Sequence, residues 1–523
     1  MSDLRTTPPP VDAAPRPLAD LLAPVRAAGL LAGDVPTEGI TVTGVSDDSR
    51  AVVPGTLFGA LAPDTLGGHD GHDYVDAALA AGASAVFVSP DFAAARAGAA
   101  PIPLGKGERL PDAVLVPVTD TRAALAEATA TFFNRPGDRL ALVGITGTNG
   151  KTTTAFLLHH LLTALGHTTG LVGTVENRIG ADRYATAFTT PEAPALQRLL
   201  AAMAQGGCTH VAMEVSSHGL ALDRVRTLAF RVGVFTNLTH DHLDFHETPE
   251  AYADAKRRLF SGLGADAVAV VNADDPAWRD MTRDTAARIV TFGTNADADV
   301  RVEVLENAVD GLRLRIDGEE RTVRLAGRFN ALNLAAAYAV GVALGEDRTA
   351  VLDALADAPG VPGRFETVQS ADGVLGVVDY AHTPDALANV LATAREIVAP
   401  GGSLWAVFGC GGDRDRAKRP EMAREAETRA DRVVLTSDNP RTEDAEAILD
   451  DVAAGLARPG AATRIADRRA AIGHAASHAA SGDVVVVAGK GHETYQIVGT
   501  ERRTFDDRAE LSAAFSRRAE VAA

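Results

Sequence analysis

A chain of 523 residues is too long for one ordinary core, so two to four domains are expected. At 46% hydrophobic residues a mainly disordered chain is excluded, and a formal net charge of −19 excludes the basic field of a general nucleic-acid binder. No apolar run reaches membrane-spanning length, so no membrane partner is expected; the two cysteines, Cys208 and Cys410, lie far apart without metal-ligand spacing and suit a reducing cytoplasm.

Residues 1–17 are proline-rich and lack the basic-then-apolar order of a signal peptide, so they read as a disordered lead-in. The first ordered segment begins near Leu18. A strand is predicted over 40–48, with Ser49 and Arg50 in the turn after it and Pro54-Gly55 as a second turn. Residues 67–75 (GGHDGHDYV) read as a polar loop. A helix over ALAAGA, a strand over SAVFVS and a helix over 120–133 follow. Turn residues cluster at 134–138 and close a first domain, 18–137.

The next domain, 138–360, opens on LALVGITGTNGKTTTAFLLHHLLTALG (140–166). An apolar run predicts a buried parallel strand, a glycine-rich turn follows, and Phe156, Leu157, Leu161, Leu162 and Leu165 then recur at helical spacing up to a capping Gly166. Strand, glycine loop and helix make a phosphate cradle, in which backbone amides and the helix N-terminus face the anion. Gly147, Thr148, Asn149, Gly150, Lys151, Thr152 and Thr153 form it. Lys151 brings charge to the phosphates and Thr152 a hydroxyl for Mg²⁺. The common phosphate-loop spacing would need glycine at 145, where Ile145 stands.

Strands at 210–215, 231–237, 267–272 and 288–292 alternate with helices, the signature of a parallel sheet. MEVSSHG places Glu214 and Ser216 at one strand end, and THDHLDFH places His242 after another. Glu214 and His242 beside the phosphate loop suit Mg²⁺ or Mn²⁺; taken singly, each reads equally as a turn residue or an ordinary strand-end charge. Lys256 falls in a predicted helix (251–260), where a lone lysine is ordinarily a solvated one. Period-two alternation over 300–325 predicts an antiparallel addition turning at Asp310-Gly311 and Asp317-Gly318. A helix over 330–344 and a Pro/Gly linker at 358–363 end the domain.

The last domain, 361–523, has apolar strands at 374–378, 404–408, 432–436 and 484–488. Each runs at once into a polar cluster: DYAH, GGDR, DNPR and GKGHE. Ligands in open α/β sheets bind beyond the carboxyl ends of strands, so four loaded ends indicate one crevice.

In this order the motifs GTNGKTT, TTPE, MEVSSHGL, DHLDFH, PGRFE, DYAHTPDAL, GCGGDRDRAKRP, DNPRTE and AGKGHETYQ resemble the Mur ligases, ATP-dependent amide-forming enzymes of peptidoglycan precursor synthesis. The resemblance runs from about Ser46 to Asp507. It implies an α/β fold in three domains: a small N-terminal α/β domain, a central domain on a phosphate-loop parallel sheet, and a Rossmann-like C-terminal domain. The motifs are most similar to those of the member that adds a diamino acid to UDP-N-acetylmuramoyl-L-alanyl-D-glutamate, in the version that takes 2,6-diaminopimelate. By resemblance, Asn333, Arg364 and Asp379 contact ATP with the loop. Thr152, Glu214, His242 and Lys256 hold Mg²⁺, and Lys256 is carbamylated. Ser49 and the loop near His69, with Thr189, Thr190, Ser216 and Arg224, meet the UDP-muramoyl-dipeptide. Arg414, Asp438, Asn439, Pro440, Arg441, Gly489 and Glu493 take diaminopimelate, its distal carboxylate on the arginine forks and its ammonium on the acids. The expected reaction is phosphorylation of the D-glutamyl γ-carboxylate, then amine attack on the acyl phosphate, in a cytoplasmic monomer whose C-terminal domain closes about the linker. The lysine-adding member, a folylpolyglutamate synthetase-like ligase and a non-catalytic nucleotide-binding regulator are the alternatives.

Overall fold

The computed structural model describes residues 4–63, 68–96 and 113–522. Residues 1–3 of the lead-in and Gly67 of the predicted polar loop lie outside them. Three sheets with parallel cores carry the chain.

In the first sheet Gly44–Ser46, Thr56–Gly59, Ala85–Val88 and Val114–Pro117 lie side by side, all parallel. The strand predicted over 40–48 is broken. Thr41–Val42 pairs antiparallel with Arg16–Pro17, and only Gly44–Ser46 joins the four-stranded sheet. Thr43 causes the break: its amide donates to Gly55 O at 2.9 Å and its hydroxyl to Pro54 O at 3.0 Å, so the Pro54-Gly55 turn takes the bonds a continuous strand needs. The predicted polar loop is partly helical. Asp70 caps a 3₁₀ turn, Gly71–Tyr74, by accepting from the His72 amide, and the helix Val75–Ala80 follows, ahead of its predicted start.

Residues 4–17, expected to be disordered, are engaged. Arg5 N donates to Arg183 O at 3.0 Å, Ala185 N to Arg5 O at 2.9 Å, and the Arg5 guanidinium reaches Asp182 at 2.7 Å. Asp12 and Gln205 exchange two hydrogen bonds of 3.3 and 3.1 Å. These are long-range pairings, to which a proline-rich composition gives no clue.

The second sheet has eleven strands in the order Asp182–Tyr184, Asn177–Ile179, Thr169–Val172, His210–Glu214, Ala141–Thr146, Phe230–Phe235, Val268–Asn272, Arg288–Gly293, Val300–Ala308, Gly311–Ile316 and Glu319–Val323. The six from Thr169–Val172 to Arg288–Gly293 are parallel. The antiparallel addition extends this sheet, because Phe292 pairs with Val300. Leu142 buries among Leu196, Leu200 and Met203 on one face, while Val143 and Ile145 meet Phe156, Leu157 and Leu334 on the other. Burial on both faces is why this strand reads as an apolar run rather than an alternation. The helices Lys151–Ala164 and Asn330–Ala343 cover the second face.

The third sheet runs Glu366–Gln369, Leu375–Asp379, Val484–Ala488, Leu404–Phe408, Arg432–Leu435, Thr463–Arg464, antiparallel at its first pair and parallel thereafter. The four predicted apolar strands are its middle four. Its short, partly exposed edge strands lack the apolar signal. Among the described residues no helix is long and apolar enough to cross a membrane.

Candidate active site

The phosphate loop leaves the strand Ala141–Thr146 and enters the helix Lys151–Ala164. Gly147 has φ +146°, and a Cβ there would lie 1.9 Å from Thr236 Oγ1; one on Gly150 (φ +86°) would lie 2.6 Å from Asn333 Oδ1. Neither position accepts a side chain, so both the turn and the close approach demand glycine. Lys151 Nζ donates to Gly147 O and Thr148 O, both at 2.8 Å. Burial lowers its pKa, against the pull of Glu214 and Asp241.

Parallel neighbours deliver the remaining groups to the same edge. His210–Glu214 lies beside Ala141–Thr146 with Glu214 level with Ile145. Its buried carboxylate accepts from Thr152 Oγ1 at 2.9 Å, the Thr174 amide at 2.8 Å and Thr174 Oγ1 at 3.0 Å. Thr174 and Thr189 hydroxyls meet at 2.9 Å. Beyond Phe230–Phe235, His242 stands at φ +54°. Burial, together with Lys151 and Lys256, lowers its imidazole to about 4 although Asp241 pulls the other way. It is therefore neutral at pH 7, the form that binds metals.

Lys256 is buried on the helix Pro249–Ser261, its ammonium 2.9 Å from Gly147 O and 4.3 Å from the Tyr252 ring centre. Burial first, and Lys151 second, drive its pKa well below the usual lysine value. The solvated-lysine reading of this residue is thereby excluded.

The third sheet supplies the opposite wall. Arg364 Nη2 donates to Thr152 Oγ1 at 3.1 Å, and its guanidinium lies 4.4 Å from the Tyr380 ring centre. Asn149 Nδ2 donates to Asp385 Oδ2 at 3.0 Å, and His240 Nε2 lies 3.5 Å from Asp415 Oδ2. Asp379 accepts from the Phe365 and Ala381 amides at 2.7 and 2.8 Å, and burial raises its pKa. Between the walls is a cleft of about 1040 Å³ that brings together Lys151, Glu214, His242, Lys256, Thr189, Ser216, Asn333, Arg364 and Asp379.

Thr148, Asn149, Gly150, Thr152 and Thr153 of the loop line that cleft too, whereas Ser49, Thr190, Arg224 and the predicted diaminopimelate residues do not. Thr190 donates to Glu214 O at 2.9 Å and accepts from the Ser216 amide, so its hydroxyl braces the strand end. Arg224 donates to Thr190 O at 3.0 Å and pairs with Glu192 at 2.6 Å. Ser49 opens a 3₁₀ turn capped by Asp48 on the first sheet. The strand ends of the third sheet form a second cluster. Arg441, at φ +52°, donates to Gly412 O at 2.7 Å. A methyl on Gly411 would lie 2.9 Å from Arg441 Nη1 and 3.8 Å from Arg414 Cγ, so both arginines flank that glycine. Asn439 Nδ2 donates to Glu493 Oε2 at 2.9 Å, a Cβ on Gly489 would meet Asp438 Oδ2 at 2.5 Å, and Pro440 links the two sets. Sequence reasoning missed Lys490, which is fully buried and donates to Asn439 Oδ1 at 3.1 Å and Glu493 Oε2 at 2.9 Å. Its signal was a lysine between two glycines at a strand end. Tyr380, in contact with Arg364 and 5.0 Å from the His492 ring, joins the two clusters.

A phosphate loop on one parallel sheet, facing loaded strand ends of another across a cleft, defines a multidomain nucleotide-dependent α/β ligase. The Mur ligase middle domain model matches residues 145–341, and the Mur ligase glutamate ligase domain model matches residues 363–491. A Parabacteroides distasonis protein named UDP-N-acetylmuramoyl-L-alanyl-D-glutamate–2,6-diaminopimelate ligase is 41% identical over 503 residues, covering 95% of this chain and 99% of its own. A solved structure of a ligase of that name superposes at TM-score 0.62 with 35% identity, over 93% of this chain and 97% of that one. A Thermotoga maritima folylpolyglutamate synthase, 18% identical, shares the fold over 70% of this chain and 90% of its own at TM-score 0.54. This chain belongs to the Mur ligase family.

Proposed function

We propose that the chain joins 2,6-diaminopimelate to UDP-N-acetylmuramoyl-L-alanyl-D-glutamate at the expense of ATP, in the cytoplasm, as a step of peptidoglycan precursor synthesis. The observation that carries the reading is the charge pattern of the third-sheet cluster. Asp438 and Glu493 set two carboxylates against one buried cation, Lys490, which leaves one negative charge for an ammonium. Arg441 and Arg414 flank Gly411 at its rim and suit a carboxylate. An amino-acid end presents both charges; lysine's distal end would leave the arginines without a partner. The likeness to relatives named for diaminopimelate agrees with this pattern.

In this reading the domains divide at 18–137, 138–360 and 361–523, and one chain acts alone because it supplies both walls of the cleft. Ser49, Thr189, Thr190, Ser216 and Arg224 position the UDP-muramoyl-dipeptide. Asn333, Arg364 and Asp379 hold ATP with the loop. Lys151 leaves its loop carbonyls to neutralise the γ-phosphoryl group as the D-glutamyl γ-carboxylate attacks it. With the distal ammonium of diaminopimelate held against Glu493 and Asp438, its other amine then displaces phosphate from the acyl phosphate. Positioning and charge neutralisation supply the rate. Closure at the 358–363 linker keeps water from the acyl phosphate.

Among the described residues no three His, Cys, Asp or Glu side chains converge as a metal cage. Mg²⁺ needs none, because one or two carboxylates together with substrate phosphates suffice to anchor it. Thr152, Glu214, His242 and carbamylated Lys256 would hold it, and it would supply further neutralisation of the phosphoryl charge. The lowered pKa of Lys256 favours the neutral amine, which is the form that adds CO₂. Turnover is expected to fall when CO₂ is stripped from the assay and to return with bicarbonate; a rate indifferent to both removes the carbamate.

The deciding experiment supplies ATP, Mg²⁺, the UDP-muramoyl dipeptide and diaminopimelate, and looks for the tripeptide nucleotide. Amide product with lysine alone reassigns the amino acid, and nucleotide binding without product refutes the ligase. Arg441→Ala is expected to raise KM for diaminopimelate at least ~10-fold, from ~1.5–3 kcal/mol for a hydrogen bond to a charged group. Unchanged kinetics would take this arginine out of the site.

A further inference from the structure

Behind the third-sheet cluster lies a pair that touches none of the predicted ligands. Arg468 and Asp507 are both fully buried, and the guanidinium forks onto the carboxylate, Nε to Oδ1 at 2.7 Å and Nη2 to Oδ2 at 2.6 Å. The pair joins the first residues of two helices, Arg468–His478 and Asp507–Ala522. The same guanidinium donates from Nη2 to Ala488 O at 2.9 Å and from Nη1 to Ser437 O at 3.3 Å. These carbonyls are the last before Gly489 and Asp438, where the GKGHE and DNPR loops begin. One side chain thus ties together the roots of both loops.

A buried ion pair gains little net stability over a well-packed apolar replacement, because desolvation offsets its attraction. It does fix geometry, since a planar fork with four partners has one orientation. Burial opposes the charge on Arg468, and Asp507 outweighs it, helped by Asp438 and Glu493. The guanidinium therefore stays charged and acts on the acids of the cluster as well as on their backbone.

We propose that Arg468 and Asp507 are positioning residues that hold the DNPR and GKGHE loops at the spacing that diaminopimelate requires. This rests on the reading of the cluster as the diaminopimelate site. The pair acts on amine capture and not on carboxylate activation, which takes place across the cleft at Lys151 and Glu214.

The test separates the two half-reactions in the full-length protein. Exchange of labelled ADP into ATP, with the UDP-muramoyl dipeptide and no diaminopimelate, reports formation and reversal of the acyl phosphate alone. Arg468→Lys keeps the charge but cannot fork, and Asp507→Asn keeps the shape but loses the charge. Each is expected to raise KM for diaminopimelate by ~10- to 100-fold, the scale of a small misplacement of reacting groups. Exchange should stay within about twofold of the parent, as for sites that act independently. An unchanged KM in a folded variant overturns the proposal, as does a loss of exchange that parallels the loss of overall rate. If both variants fail to fold, the pair serves the whole domain and the proposal fails. A parent protein that makes no product with diaminopimelate overturns the underlying reading instead.

Discussion

Lys151→Ala is expected to abolish turnover, with kcat reduced by ~10³-fold or more, while the protein stays folded. The loss follows from what the ammonium neutralises, since charge moving onto the leaving oxygen of ATP has no other full cation on the phosphate loop itself. The fold survives because the loop has a second donor. Lys256 Nζ lies 2.9 Å from the same Gly147 carbonyl that Lys151 holds at 2.8 Å. Steady-state rates and thermal melts check both halves. Near-normal ATP consumption, dependent on the dipeptide nucleotide, would remove the cradle from the chemistry.

The same lysines give a pH signature. With Lys256 uncarbamylated, burial lowers both ammonium pKa values below the ordinary 10.5. In the interval below 10.5 the unfolded chain therefore binds more protons than the folded one, and these two groups make stability rise with pH there. Lys151→Ala removes one of them and also the repulsion that lowers Lys256, so the rise should flatten in melts taken across that interval.

What was legible in the sequence follows from how local each feature is. The phosphate loop, its strand and its helix are contiguous, and the strand is apolar because both faces are buried, so 140–166 reads correctly from pattern alone. The antiparallel addition over 300–325 alternates with period two and was equally readable. The break at Thr43, the engaged lead-in and the edge strands depend on partners distant in the chain or on short, partly exposed segments. Lys256 shows the same limit. Its helix was predictable, but the direction of its side chain is set by packing on a loop 109 residues away. Lys490 carried a local cue, whereas Arg468 and Asp507, 39 residues apart, carried none.

Glu214→Gln is expected to lower turnover by ~10²–10³-fold, the cost of losing a preorganised electrostatic group, while leaving the melting temperature unchanged or higher. Glu214 is 1% exposed, and its three partners are the hydroxyls of Thr152 and Thr174 and the Thr174 amide, all neutral. A carboxylate buried among neutral groups is costly, and glutamine removes that cost at nearly constant volume. A residue kept solely for the fold would behave in the opposite way, losing stability and sparing rate. The carboxylate sits at the edge of the phosphate loop, tied through the Thr152 hydroxyl to Arg364 of the opposite wall. The Lys151 ammonium, on which its charge pulls, balances it, as would a cation that arrives with the nucleotide. A glutamine variant that melts lower yet turns over normally would show that Glu214 braces the strand end and nothing more.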